Sequence, residues 1–311
     1  MLALAWPWTA SASASDHFKG LSARLGASLC AGIGGHAGRV ERHGLHFAYR
    51  PLRSSSSIGR AWRPSELPSG RIVVFHGYFD NASKIAGELA TDEHDLARLY
   101  GLAVERWKDD AERRIVGEYC AVIADPSASR LRLSRSPLRA PPLYYFHDDR
   151  LAAVASVPRA LFAAGIEQRL NETRIVDLLM RNGSDDEASA FKNIFQVPTG
   201  SIVEMEAGRP RALRKWYDIL DLPFVEVPSD AEVIARASEL LDQGVRACLR
   251  GFGKPGATLS SGLDSPQVAI RASSLIPAGQ RLPTFTFHPE AGFDGRALPF
   301  KMGNERPFVE A

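Results

Sequence analysis

Cysteine is scarce, with only Cys30, Cys120 and Cys248 in 311 residues. They lie far apart, an odd number cannot all pair within the chain, and no metal-ligand spacing links them. A disulfide framework and a zinc-built fold are thereby excluded. No charge of one sign dominates: 38 basic side chains against 36 acidic ones give a formal net charge of +2. That balance offers no broad footprint for nucleic acid or anionic lipid. No apolar run approaches the ~20 residues of a membrane helix. The apolar start, Met1 to Trp8, is broken by Pro7, and the small residues Ala10 to Ala14 precede the first positive charge, Lys19. Without a basic n-region a secretory signal is not expected. The expectation is a soluble, cytoplasmic protein with no membrane or nucleic-acid partner.

An apolar content of 45% is ordinary for a chain that buries a core, and at about 100 to 200 residues per domain this length suggests two. Residues 1 to about 160 are strand-rich. Met1 to Trp6, Leu45 to Tyr49, Arg71 to His76, Cys120 to Ala124, Leu131 to Ser134 and Leu143 to Phe146 are short apolar or alternating runs between Gly, Pro, Ser and Asp. The turn Asp125-Pro126-Ser127 points to antiparallel pairing. Helices are expected over Asp16 to Leu29, Ala82 to Leu89 and Asp92 to Lys108, the last with Leu96, Leu99, Tyr100, Ala103 and Trp107 on one face. Ser54 to Ser57 and Pro64 to Ser69 read as loops. A helix over Glu172 to Met180 and a strand pair, Ser201 to Glu204 with Leu213 to Tyr217, complete the first domain, 1–217.

Pro223 and Pro228 bracket a linker, 218–228, and the composition changes after it. Ser229 and Glu232 form a capping box. The helix it opens carries a stripe of Val233, Ala237, Leu240, Leu241, Val245 and Cys248, which predicts a buried face ending at Gly251. A strand (Gly256 to Leu259), a helix (Pro266 to Leu275) and a strand (Thr284 to Phe287) then open a parallel α/β sheet. Residues 229–311 are too few to close such a sheet and cover both faces, so only the first part of that domain is expected here.

Between that strand and helix lies Leu259-Ser260-Ser261-Gly262-Leu263-Asp264-Ser265-Pro266. A helix start offers unpaired N–H groups and a positive dipole end, the serines add hydroxyl donors, and Gly262 admits close approach of a ligand. The combination suits a phosphate. The plainer alternative is a well-capped turn, with Ser265 as N-cap and Pro266 at the first helical position.

The octapeptide resembles the pyrophosphate loop of the ATP pyrophosphatase superfamily, in the version found in asparagine synthetase-like proteins. Ser260, Gly262, Leu263, Asp264 and Ser265 match the motif, and Ser261 replaces its first Gly. The resemblance continues upstream: Phe75-His76-Gly77-Tyr78-Phe79-Asp80-Asn81, Thr91-Asp92, Gly117 to Val122, Arg135 to Tyr145, Val154 to Leu161, Val197 to Ser201 and Trp216-Tyr217 follow the family in order. It implies a four-layer antiparallel α+β sandwich of the N-terminal-nucleophile type, followed by the start of an α/β parallel-sheet ATP pyrophosphatase domain. It also implies ATP and Mg²⁺ as cofactors. Leu259, Ser260, Ser261, Gly262, Leu263, Asp264 and Ser265 would hold pyrophosphate, and Asp264 the metal.

The family's glutaminase half uses a Cys directly after the initiator Met and an Asn-Gly-Glu glutamine pocket. Here those places fall to Leu2 and to His76, Gly77 and Tyr78, with Asp92 beyond, so a degenerate pocket without a nucleophile is expected. β-Lactam synthetases and lasso-peptide cyclases share that design, and Asp294-Gly295-Arg296 followed by Asn304-Glu305-Arg306-Pro307 is similar to them. The implied activity is an ATP-dependent ligase that adenylates a carboxylate for attack by an amine, as in isopeptide cyclisation. Its substrate would be a small molecule or peptide carrying both groups, its partner a second copy or a biosynthetic protein. A glutamine-hydrolysing asparagine synthetase and a non-catalytic nucleotide-binding scaffold are the alternatives.

Three other patterns carry less. Gly32-Ile33-Gly34-Gly35-His36-Ala37 imitates a dinucleotide fingerprint but lacks a preceding strand, a following helix and an acid ~20 residues on. Asp92, Glu93, His94 and Asp95 suit a helix start better than a metal, because consecutive side chains diverge. Thr258-x-Ser260-x-Gly262, with His288 as a base, imitates a nucleophile elbow but leaves Asp264 and Ser265 unexplained.

Overall fold

The computed structural model describes residues 1–8, 18–50, 63–138, 141–182, 187–209, 211–226, 229–249, 254–290, 292 and 303–310. Ala10 to Ala14, Asp16, Ser54 to Ser57, Arg139, Ala140, Pro228, Gly251 and Asp294 to Arg296 lie outside them. The chain divides into two compact units, Met1–Leu222 and Pro223–Ala311.

The first unit holds two six-stranded sheets. In chain order its elements are β1 (Leu2–Pro7), α1 (Leu21–Cys30), β2 (Gly38–Arg42), β3 (Leu45–Tyr49), β4 (Ser65–Glu66), β5 (Ile72–Phe79), α2 (Ala82–Glu88), α3 (Leu96–Trp107) and α4 (Ala111–Arg114). Then come β6 (Gly117–Asp125), β7 (Arg130–Arg135), β8 (Tyr144–His147), β9 (Leu151–Ala155), α5 (Pro158–Ala163), α6 (Glu172–Leu179), β10 (Phe195–Gln196), β11 (Ser201–Glu206) and β12 (Ala212–Lys215). One sheet runs β10-β8-β9-β1-β3-β2, the other β12-β11-β7-β6-β5-β4, and the pairings in both are antiparallel.

Alternation along the strands builds the layers, because successive side chains point to opposite faces. Leu2, Leu4 and Trp6 of β1 join Ile72, Val74, Val122 and Leu133 in one cluster between the sheets. Ala3 and Ala5 face the other way, onto Leu21, Leu25 and Leu29 of α1 and Leu161 of α5. On the far side of the second sheet, Val73, Phe75, Tyr119 and Ala121 pack on Ala97, Leu99, Tyr100 and Ala103 of α3. The order helix, sheet, sheet, helix is the expected α+β sandwich. Small residues on the outer face of β1 let α1 approach closely, while large ones fill the middle.

The second unit holds α7 (Asp230–Leu249), β13 (Ala257–Thr258), α8 (Asp264–Leu275), β14 (Thr284–Phe285) and α9 (Arg306–Glu310). β13 and β14 pair in parallel, Ala257 opposite Thr284 and Thr258 opposite Phe285, with α8 as the crossover. Ser229 Oγ accepts from Glu232 N–H at 3.3 Å, half of the expected capping box. The buried stripe on α7 is corrected: Val245 is its one buried residue, Val233 and Leu240 are about half exposed, and Cys248 is exposed. A 3.6-residue period marks an apolar face but not what covers it.

Candidate functional site

His76, Gly77 and Tyr78 lie on β5, opposite Cys120, Tyr119 and Glu118 of β6. Gly77 has φ +139°, and a Cβ there would stand 2.0 Å from the carbonyl oxygen of Glu118. The glycine therefore serves the strand pairing, whatever else passes by. His76 Nδ1 is 4.0 Å from Cys120 Sγ. Burial, reinforced by the positive charge of the Met1 amine, pushes His76 down to about 3. Burial drives the Cys120 thiol up to about 12, against the opposing pull of Arg135. Both groups are neutral near pH 7, and a neutral thiol is a poor nucleophile.

The start of β1 borders this pair. Met1 N donates to the Arg50 carbonyl at 3.0 Å, and burial lowers the amine to about 6. Leu2 N–H donates to Ser156 Oγ at 3.1 Å, and the Leu2 side chain is sealed in the core between the sheets. Asp92 stands apart, exposed in the segment between α2 and α3. Its neighbour Asp95 caps α3, accepting from Ala97 N–H at 2.8 Å and Arg98 N–H at 3.3 Å. Among the described residues no group of three or more His, Cys, Asp or Glu is placed to hold a metal ion. The sequence places Cys120 on a strand, Cys120 to Ala124, but not beside His76. The signal that could have found it is the hairpin register, which sets it across from His76.

In the second unit the loop after β13 is tied together by its own serines. Leu259 N–H continues the strand by donating to the Phe285 carbonyl at 2.9 Å. Ser260 N–H donates to Ser265 Oγ at 2.8 Å, the two hydroxyls are 2.8 Å apart, and Gly262 N–H donates to Ser260 Oγ at 3.2 Å. The expected N-cap is corrected: α8 begins at Asp264 behind Leu263, and no side chain caps it. Ser265 lies within the first turn and folds its hydroxyl back onto the loop, and Pro266 follows it inside that turn, where no N–H is needed.

Asp264 is exposed at the positive end of α8. A Cβ at Gly262 would meet only Ser260 Oγ, at 3.4 Å. The fold leaves that glycine's surroundings open. Ser261 N–H donates to Glu305 Oε2 at 3.0 Å, so a carboxylate already rests on a loop amide. The helix start and the serine hydroxyls could hold phosphate oxygens once the bonds now made by the Ser260, Ser261 and Gly262 amides give way, and the exposed Asp264 could hold a cation. Leu259 to Ser265 lie in the second unit and the His76 group in the first.

Residues 70–217 match the family model described as a glutamine amidotransferase domain. Proteins from Mycobacterium bovis and Mycobacterium tuberculosis that bear the provisional name asparagine synthetase (glutamine-hydrolyzing) are 23% identical over 254 residues, which is 77% of this chain and 37% of each relative. The chain spans little more than a third of their length. Among solved structures, the B. subtilis glutamine phosphoribosylpyrophosphate amidotransferase complexed with ADP and GMP aligns with a TM-score of 0.36 and 12% identity, over 85% of this chain and 55% of that one. A class II glutamine aminotransferase domain protein from Silicibacter pomeroyi aligns with a TM-score of 0.33 and 14% identity, over 56% and 74%. By sequence, residues 70–217 are similar to a glutamine amidotransferase domain, and the chain is distantly similar to proteins that bear the name asparagine synthetase.

Proposed function

We propose that the chain belongs to an ATP-dependent amide-bond-forming ligase whose amidotransferase half is a scaffold, so that the attacking amine comes from the substrate rather than from glutamine. The observation that carries this reading is the donor-rich loop Leu259 to Ser265 at the start of α8, where an amide already holds a carboxylate oxygen. Bound MgATP would supply an AMP leaving group to a carboxylate. The chain's own part is positional: Ser260, Ser261, Gly262 and Ser265 would orient pyrophosphate oxygens, and Asp264 would hold Mg²⁺. Buried Leu2 and the neutral His76–Cys120 pair support the scaffold role of the other half. A substrate that carries both carboxylate and amine, cyclised to a lactam or isopeptide, suits such a ligase.

The second reading, glutamine hydrolysis, draws on the family match over 70–217. Incubating the chain with glutamine and measuring glutamate separates the two. The ligase reading expects release no faster than with heat-killed protein, and clear turnover would overturn the scaffold role.

A further inference from the structure

Glu305 opens α9 and is 44 residues from the loop it touches. Its carbonyl accepts from Phe308 N–H at 3.1 Å and Val309 N–H at 3.2 Å, so the backbone holds it at the head of the short helix. Its side chain reaches the Ser261 amide, with Oε2 at 3.0 Å. One turn on, Phe308 and Val309 line a cavity of about 390 Å³ beside the same loop, together with Leu259, Ser260 and Ile270. The head of the helix therefore sits on the loop, with Val309 and a largely exposed Phe308 at the border of the cavity beside it.

A carboxylate oxygen and a phosphate oxygen make the same demand on an amide: each is an anionic acceptor of a charge-assisted hydrogen bond. They cannot share one N–H, and two anions at that distance repel. We propose that Glu305 is an internal occupant of the anion position, holding the loop closed until the phosphate chain of a nucleoside triphosphate displaces it. This rests on the reading of the loop as a phosphate cradle. Glu305 is then a competitor of the ligand, and removing it strengthens binding.

The test uses the whole chain as wild type, Glu305→Gln and Glu305→Ala, with inorganic pyrophosphate and MgATP titrated by calorimetry and amide exchange at Ser261 followed by NMR. Circular dichroism checks that each variant is folded. Glu305→Ala is expected to bind both ligands on the order of tenfold more tightly, in line with the loss of one charge-assisted bond that competes for the amide. Glu305→Gln, which keeps an acceptor without the charge, falls between. Ser261 exchange should be slow in the wild type, fast in Glu305→Ala, and slow again when pyrophosphate is added. Equal affinities in all three proteins would overturn the competitor while leaving the cradle standing, and so would weaker binding by Glu305→Ala. If no protein binds either ligand, both the cradle and its occupant are wrong.

Discussion

A methyl group added at Gly77 would lie 2.0 Å from a backbone oxygen, whereas one added at Gly262 would meet only a serine hydroxyl, at 3.4 Å. The two glycines of the candidate sites thus answer to different demands. Gly77→Ala must part β5 from β6 and adopt a φ of +139°, so urea unfolding should show a loss of at least about 3 kcal/mol. Gly262→Ala should change stability by no more than about 0.5 kcal/mol, yet weaken pyrophosphate binding severalfold if ligand approaches there. His76 gives a third residue-scale outcome. Its folded pKa, about 3, lies below the ordinary 6.5, so the unfolded chain takes up the proton first. The stability held above pH 6.5 is then lost as pH falls toward 3, at up to about 1.4 kcal/mol per unit. Unfolding of wild type and His76→Gln measured from pH 7 to 5 should diverge in slope. Parallel curves would contradict a neutral, buried histidine.

At the scale of elements, α3 and α4 are bound to the second sheet by one buried ionic cluster. Glu112 of α4 is fully buried and takes both Arg132 Nη2 bonds, at 2.9 and 3.0 Å, while Tyr100 Oη of α3 donates to it at 2.7 Å. Burial beside this carboxylate pushes Tyr100 well above its ordinary value, so its hydroxyl remains a donor. Glu112→Ala leaves Arg132 Nη2 and Tyr100 Oη without their shared acceptor, while Arg132 Nη1 keeps Asp109 at 3.3 Å and Glu204 at 3.2 Å, and should cost about 1 to 3 kcal/mol in chemical denaturation. Replacing both partners with apolar residues, Glu112→Leu with Arg132→Met, should recover much of that loss, and a double variant as weak as the single would contradict the argument. Nothing in the sequence announces the pair, since Glu112 and Arg132 each look like ordinary surface charges until the fold brings them together.

Other elements were legible in proportion to their patterning. Leu45 to Tyr49 alternates and is β3 to the residue, and the face read on Asp92 to Lys108 is the face α3 buries. β9 went unread because Leu151 to Ala155 is buried on both sides and shows no alternation. β2 went unread because Gly-Arg-Val-Glu-Arg is a charged edge strand. In the loop, the residues were legible but their bonding was not. Ser265 has a good N-cap's chemistry, yet with α8 starting one residue earlier its hydroxyl braces Ser260 instead.

On the scale of the whole chain, the two units bury very different amounts of apolar surface. The first has three clusters of buried side chains around its sheets, whereas in the second only Val245, Ala269 and Ala272 are fully buried among the described residues. Phe285, Phe287 and Val268 of the second unit are exposed. Stability follows burial, so limited proteolysis should cut between 223 and 311 well before it cuts between 63 and 138. Equal resistance would show that the second unit is better packed than its burial indicates.

The central claim is that the loop at the start of α8 is a site for the phosphates of ATP, and calorimetric titration of MgATP into the folded chain tests it most directly. Saturable, Mg²⁺-dependent binding is expected, weakened at least about tenfold by Asp264→Ala, the scale of a lost charge-assisted contact, with the circular dichroism spectrum unchanged. Absence of binding, or binding that is indifferent to both Mg²⁺ and Asp264→Ala, would contradict it and leave the loop as a serine-braced turn.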